Sequence, residues 1–126
     1  MPSFYKIDRE RRFVLSTASG VFTLADAVAH QQKLFKDPDF DPGFSQIADF
    51  TQVTSLDLSA DEIRRFAQTS IYSSNSRRAL VMPNEMSFGL GRMYEILRDL
   101  AGQGGIRVFH TVEEAVDWVF PEGATG

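Results

Sequence analysis

The densest polar run in this chain is Asp49-Phe-Thr-Gln-Val-Thr-Ser-Leu-Asp-Leu-Ser59. The carboxylates of Asp49 and Asp57 and the hydroxyls of Thr51, Thr54, Ser55 and Ser59 could accept a phosphate, bind an anion or contact a partner. Ser59 also heads Ser59-Ala-Asp-Glu62, a capping box: the hydroxyl accepts from one orphan backbone N–H and the acid folds back to another. The backbone N–H groups and dipole of a helix start favour an anion or a phosphorylated hydroxyl. Ser59 is therefore the candidate phospho-acceptor or anion site, and Asp49, Thr51, Thr54, Ser55 and Asp57 form a candidate binding loop. A plainer reading stands beside it, with Ser59 as N-cap and Asp49 tying down its own loop. Asn84, ahead of the third helix, and His110, at the carboxyl end of the last strand, join the candidate set. Ligand sites of open α/β sheets gather at such strand ends.

Other spacings fall short of a chemistry. Asp37, Asp39 and Asp41 open like a calcium loop, but Pro42 holds the sixth position where Gly is needed and Ala48 the twelfth where Glu is needed. Gly89-Leu-Gly91 has the first two glycines of a dinucleotide fingerprint, yet Tyr94 replaces the third and the pair lies within a helical pattern. Small residues where that helix packs on a sheet explain it better. His30 and His110 are the chain's two histidines and there is no cysteine, so no metal site, thiol nucleophile or disulfide is assigned. His30 reads as a hydrogen-bonding group at a helix surface. No nucleophile–base pair follows from spacing, so neither a catalytic residue nor a cofactor is assigned.

The elements that must position these residues are marked by caps. Thr23-Leu-Ala-Asp26 and Thr111-Val-Glu-Glu114 repeat the Ser59 pattern, each after a stretch that reads as a strand. Phe4–Asp8 and Arg12–Ala18 are expected to form a hairpin, with Gly20 ending the second strand. The first helix carries Leu24, Ala27, Val28, Gln31, Leu34 and Phe35 on one face, and Lys36–Gly43, with two Asp-Pro steps, is a loop. A third strand is expected over Phe44–Phe50, and a second helix buries Ile63, Phe66, Ala67 and Ile71. Arg78–Met82 is a short apolar run suited to a strand covered on both faces. The third helix places Met86, Leu90, Met93, Tyr94, Leu97 and Leu100 on its inner face, and Ile106–Phe109 is the last strand. Val112, Ala115, Val116 and Val119 line a final helix. The order ββαβαβαβα predicts an α/β fold: a single domain over residues 1–120, with a mixed, mostly parallel sheet of about five strands and four helices. Pro121–Gly126 is expected to be a frayed tail.

Composition bounds the partners. The chain has 126 residues, a net charge of −4 and 43% apolar residues, eleven of them Phe. That acidity excludes nucleic acid as the main partner. With no secretory h-region and no membrane-length apolar run, a cytoplasmic protein without a membrane span is expected.

The layout resembles the STAS superfamily, typified by the SpoIIAA-like anti-sigma-factor antagonists and including an uncharacterised bacterial branch. The likeness runs from Phe4 to about Val119. It is carried by Ala18-Ser-Gly20-Val-Phe-Thr23, by the strand end Ile47-Ala-Asp49-Phe-Thr-Gln-Val53 and by Asp57-Leu-Ser59-Ala60, which matches the family's Asp-Ser-Ser-Gly. The resemblance places Ser59 on the phosphorylated position, while Leu58 and Ala60 stand where the family has Ser and Gly. It implies a non-enzymatic regulatory module that docks a protein partner around the second helix and the Asp49–Ser59 segment. The alternative is a module binding an apolar or acyl small molecule, for which Phe22, Phe35, Phe40, Phe44, Phe50, Phe88, Met82, Met86 and Met93 supply adaptable apolar surface. Homodimerisation through a sheet edge or the third helix is compatible with either.

Overall fold

The computed structural model describes residues 3–73, 75–102 and 104–121. The elements are β1 (Ser3–Asp8), β2 (Phe13–Thr23), α1 (Leu24–Phe35), β3 (Ser45–Asp57), α2 (Ala60–Phe66), β4 (Arg78–Val81), α3 (Glu85–Leu100), β5 (Ile106–Phe109) and α4 (Val112–Val119). This is the ββαβαβαβα order that the capping motifs predict. Thr23 and Ser59 form reciprocal capping boxes with Asp26 and Glu62. At Thr111 the hydroxyl accepts from the Glu114 N–H, but Glu114 answers to that hydroxyl rather than to the backbone.

The strands form one sheet in the order β1-β2-β3-β4-β5, antiparallel between β1 and β2 and parallel from there on. Each right-handed crossover steps one strand in the same direction, so α1, α2 and α3 all lie on one face. Helix α4 follows the last strand and covers β3, β4 and β5 on the other face. Strand alternation sorts the core accordingly. Phe13, Ile47, Ala79 and Val81 face Ala115 and Val119 of α4, while Val14 and Phe44 pack with Leu34 of α1. No described helix is long and apolar enough to cross a membrane. Of the tail expected to fray, residues 122–126 lie outside the described residues.

Two strand boundaries differ from expectation. Strand β2 runs through Gly20 to Thr23, and β3 runs from Ser45 through the expected loop to Asp57. Past Ala18 and Asp49 neither β1 nor β4 flanks the pair among the described residues, and β2 and β3 continue as a two-stranded ribbon. Gly20 sits within this ribbon at φ +68°, beside a register shift that adds a residue to β3. The polar composition suggested a loop, but each strand satisfies the other's backbone groups. The β-branched Thr51, Val53 and Thr54 suit the pleat, and Val53 and Leu56 fold onto Phe22. Asp49, Thr51, Thr54, Ser55 and Asp57 therefore stand on a strand.

Helix α3 is rotated by roughly one residue from the expected face. Its buried side carries Ser87, Gly91, Glu95 and Arg98, whereas Met86 and Leu100 are 82% and 80% exposed. The buried polar groups have specific partners, which apolar periodicity does not register. Glu95 accepts from the Val108 backbone N–H and pairs with Arg92, and Arg98 donates to the Ala67 carbonyl at the end of α2.

Candidate functional site

Among the described residues no single hydrogen-bond network joins the eight sequence-predicted site residues. Thr51, Thr54, Ser55 and Asp57 are exposed along the ribbon, and Asp49 accepts from the Thr51 N–H at 2.9 Å. Asn84 caps α3 through the Ser87 N–H. His110 lies nearby, stacked on Phe88 and 2.9 Å from Glu85. Among the described residues no hydrogen bond joins Asn84 or His110 to Asp49 or Ser59. The Ser59 hydroxyl accepts from the Glu62 N–H at 3.1 Å and the Glu62 carboxylate accepts from the Ser59 N–H at 2.9 Å. Ser59→Ala is accordingly expected to lower stability by about 1 kcal/mol, read as a shift in the urea midpoint with an unchanged slope.

The concave site lies elsewhere. A cavity of about 170 Å³ separates the sheet from α1, α2 and α3. Strand registers set its floor in two rows, Gln46–Arg78–Ile106 and Ser16–Ala48–Leu80. Ala27, His30 and Leu34 of α1, Ile63 and Phe66 of α2, and Leu90, Gly91 and Tyr94 of α3 form the roof. Of the eight predicted residues, Asp49 alone borders it.

Two polar groups interrupt this lining. At the β2 side, Gln46 Nε2 donates to Ser16 Oγ at 2.8 Å, and that hydroxyl meets His30 Nε2 at 2.9 Å. The His30 ring lies edge-on to Tyr5, whose hydroxyl donates to Asp37 at 2.7 Å. Burial, with that bond behind it, pushes the Tyr5 phenol up to about 12. The Asp39 N–H first, then Tyr5, hold the Asp37 carboxyl below its usual range.

Burial, aided by Lys33, holds the His30 imidazole below its usual pKa of 6.5. Because the folded chain binds this proton more weakly than the unfolded chain, acid favours unfolding. His30 is expected to leave stability unchanged above pH 6.5 and to lower it progressively below. A His30→Gln variant with the same urea-midpoint profile between pH 7.5 and 5 would refute this.

A serine oxygen against a histidine nitrogen supplies two of the three members of a hydrolytic triad, but the rest is missing. Ser16 already accepts from Gln46, no carboxylate among the described residues hydrogen-bonds His30, and the Ser16 backbone is committed to the sheet.

The second polar group is Arg78, 4% exposed. Its Nη1 donates to Ser70 Oγ at 3.3 Å and its Nη2 to the Gly104 carbonyl at 3.0 Å. The guanidinium carbon lies 5.3 Å from the Tyr72 ring centroid. The Arg78 Nε and the Tyr72 hydroxyl are sealed from solvent without a hydrogen-bond partner. Burial pushes the Tyr72 and Tyr94 phenols up, so both remain protonated.

Sequence reasoning missed Ser16, Gln46, Tyr72, Arg78 and Tyr94 as site residues and placed His30 at a helix surface. One available signal was a polar residue at an inward position of an apolar element: Ser16 in β2, and Arg78 opening Arg78-Ala-Leu-Val. Gln31, which breaks the apolar stripe of α1, also borders the cavity.

No family model and no curated protein matches this chain. The fold is SpoIIAA-like, as the STAS resemblance implied. It is similar to the solved structure of an uncharacterised protein of the DUF3478 family, described as having a SpoIIAA-like fold, from Shewanella loihica PV-4. The two are 17% identical with a TM-score of 0.58, and the likeness covers 93% of each chain.

Proposed function

We propose that this chain is a non-enzymatic regulatory module of STAS type that works by binding, with a small, largely apolar molecule held between the sheet and α1–α3. The cavity carries this reading: its volume of about 170 Å³ is bounded mainly by apolar side chains, Phe22, Phe50, Met82 and Leu90 among them. Sites for small molecules are concave and apolar with a few placed polar groups, and a dry apolar cavity of about 150 Å³ is enough to take a benzene ring. The incomplete Ser16–His30 pair supports a binding role over a hydrolytic one.

Toluene is expected to stabilise the protein by about 1.4 kcal/mol at ten times its dissociation constant. Ala48→Leu places three more carbons in the cavity and is expected to abolish that gain while keeping the fold. A wild-type melting temperature indifferent to toluene would sink the small-molecule reading.

A second reading, docking of a protein partner, is favoured by the outward face of α3, where Met86 and Leu100 are largely exposed and Ile96 is 46% exposed. The two readings meet on α3, since Leu90, Gly91 and Tyr94 of the same helix line the cavity. If that face also joins two copies, sedimentation should show self-association that Met86→Ser with Leu100→Ser removes.

A further inference from the structure

We propose that the cavity's ligand is a small monocarboxylate, ring-sized or short-chained, whose carboxylate meets the Arg78 Nε–H and the Tyr72 O–H while its carbon skeleton lies along Leu80 and Met82. The proposal rests on the small-molecule reading above and adds the headgroup.

Hydrogen bonding supplies the first argument. Both atoms are donors, on side chains that touch each other and border the cavity, and both must turn toward it to meet a ligand because the surrounding protein now seals them. A buried donor without an acceptor is costly, more so on a charged group. What completes this pair must accept from both.

Charge supplies the second. The groups that occupy the Arg78 Nη atoms, the Ser70 hydroxyl and the Gly104 carbonyl, are neutral. Among the described residues no carboxylate forms an ion pair with Arg78. Tyr72 and Tyr94 stay protonated and bring no negative charge. A buried guanidinium needs a counter-charge, and the ligand supplies it.

Shape decides between anions. With each Nη already making a hydrogen bond, the Nε is the Arg78 nitrogen without a partner, and with the Tyr72 hydroxyl it presents two donor atoms, as many as a carboxylate has oxygens. The floor then grades from Gln46 and Arg78, near the amino ends of β3 and β4, to Ala48, Leu80 and Met82. That gradient matches an acid with a compact apolar body, and the volume limits the body to about the size of a ring.

The test is calorimetric titration at pH 7.5 with benzoate and hexanoate, their uncharged counterparts benzyl alcohol and toluene, and inorganic phosphate. Either carboxylate is expected to bind the wild type at least about tenfold more tightly than benzyl alcohol, because the alcohol leaves the charge uncompensated. Arg78→Met is expected to erase that preference while still binding toluene, and Tyr72→Phe to narrow it about three- to tenfold. Should Arg78→Met fail to fold, Tyr72→Phe, which removes one oxygen, decides the matter.

If toluene binds and the carboxylates have no advantage, or if phosphate binds more tightly than either, the headgroup assignment falls and the cavity reading stands. The same holds if the preference survives in both variants. If no probe binds, the cavity reading itself falls and takes this proposal with it.

Discussion

Ile47→Ala is expected to lower the unfolding free energy by about 3–4 kcal/mol, a large part of the roughly 5–15 kcal/mol that holds a domain of this size folded. Ile47 is 1% exposed on β3, under α4, among Phe13, Ala79, Val81, Ala115 and Val119. Ala79 and Ala115 have no side-chain length with which to fill the space left behind, and the strand backbone is pinned by neighbours on both sides. The cavity term therefore adds nearly in full to the transfer term. Leu15 supplies the control. It lies on the same sheet face, on β2, outside the cluster that α4 covers, and is 38% exposed. Leu15→Ala should cost under about 1 kcal/mol. Urea unfolding with unchanged slopes reads both. Equal losses at the two positions would mean that α4 does not cover β3 as described.

Gly91→Val is expected to cost about 2 kcal/mol, although glycine inside a helix is itself unfavourable by about 1 kcal/mol relative to alanine. An added Cβ at Gly91 would lie 3.2 Å from Met82 Cε and 3.2 Å from both γ-carbons of Val108. Met82 can yield at its flexible tip. Val108 is branched and fixed on β5, so α3 would have to lift away. Gly91→Ala separates the two effects, because its propensity gain offsets a smaller clash, and it should change stability by less than about 1 kcal/mol. At Gly89 no atom lies within 4 Å of an added Cβ, and Gly89→Ala should stabilise the helix by about 1 kcal/mol. A Gly91→Val variant as stable as the wild type would show that α3 does not rest on β5 at this point.

Much of the fold was legible because its signals are local. A hydroxyl three residues ahead of an acid needs only one turn of helix to act, so Thr23 and Ser59 mark their helix starts whatever the rest of the chain does. The loop from Lys36 to Gly43 follows from two Asp-Pro steps and a glycine, and the short strand β4 from a run apolar on both faces. Gly91 was also readable as a close approach of helix to sheet.

The errors came where a local signal was outvoted by a distant partner. The Asp49–Asp57 stretch is polar enough to read as a loop, but β2 runs beside it and supplies a ladder. The inner face of α3 was misplaced because Glu95 and Arg98 are buried by virtue of partners thirteen and thirty-one residues away, Val108 and Ala67. The candidate residues stand apart from the cavity, Asp49 excepted, for the same reason. Exposed strand-end polar residues were weighted, whereas the concave surface is built from inward polar residues of strands and helices far apart in sequence, such as Ser16, His30, Gln46 and Arg78.

By itself the sequence determined the succession of elements, the α/β class, the SpoIIAA-like layout and the helix caps, because each rests on hydrogen bonds and periodicities that span a few residues. The tertiary structure alone decided that β2 and β3 run on as a ribbon, which side of α3 faces the sheet, and that a guanidinium and a phenol with unmet donors share an apolar cavity. Those depend on which strand lies beside which, and on whether a polar group at an inward position finds its partner across the fold.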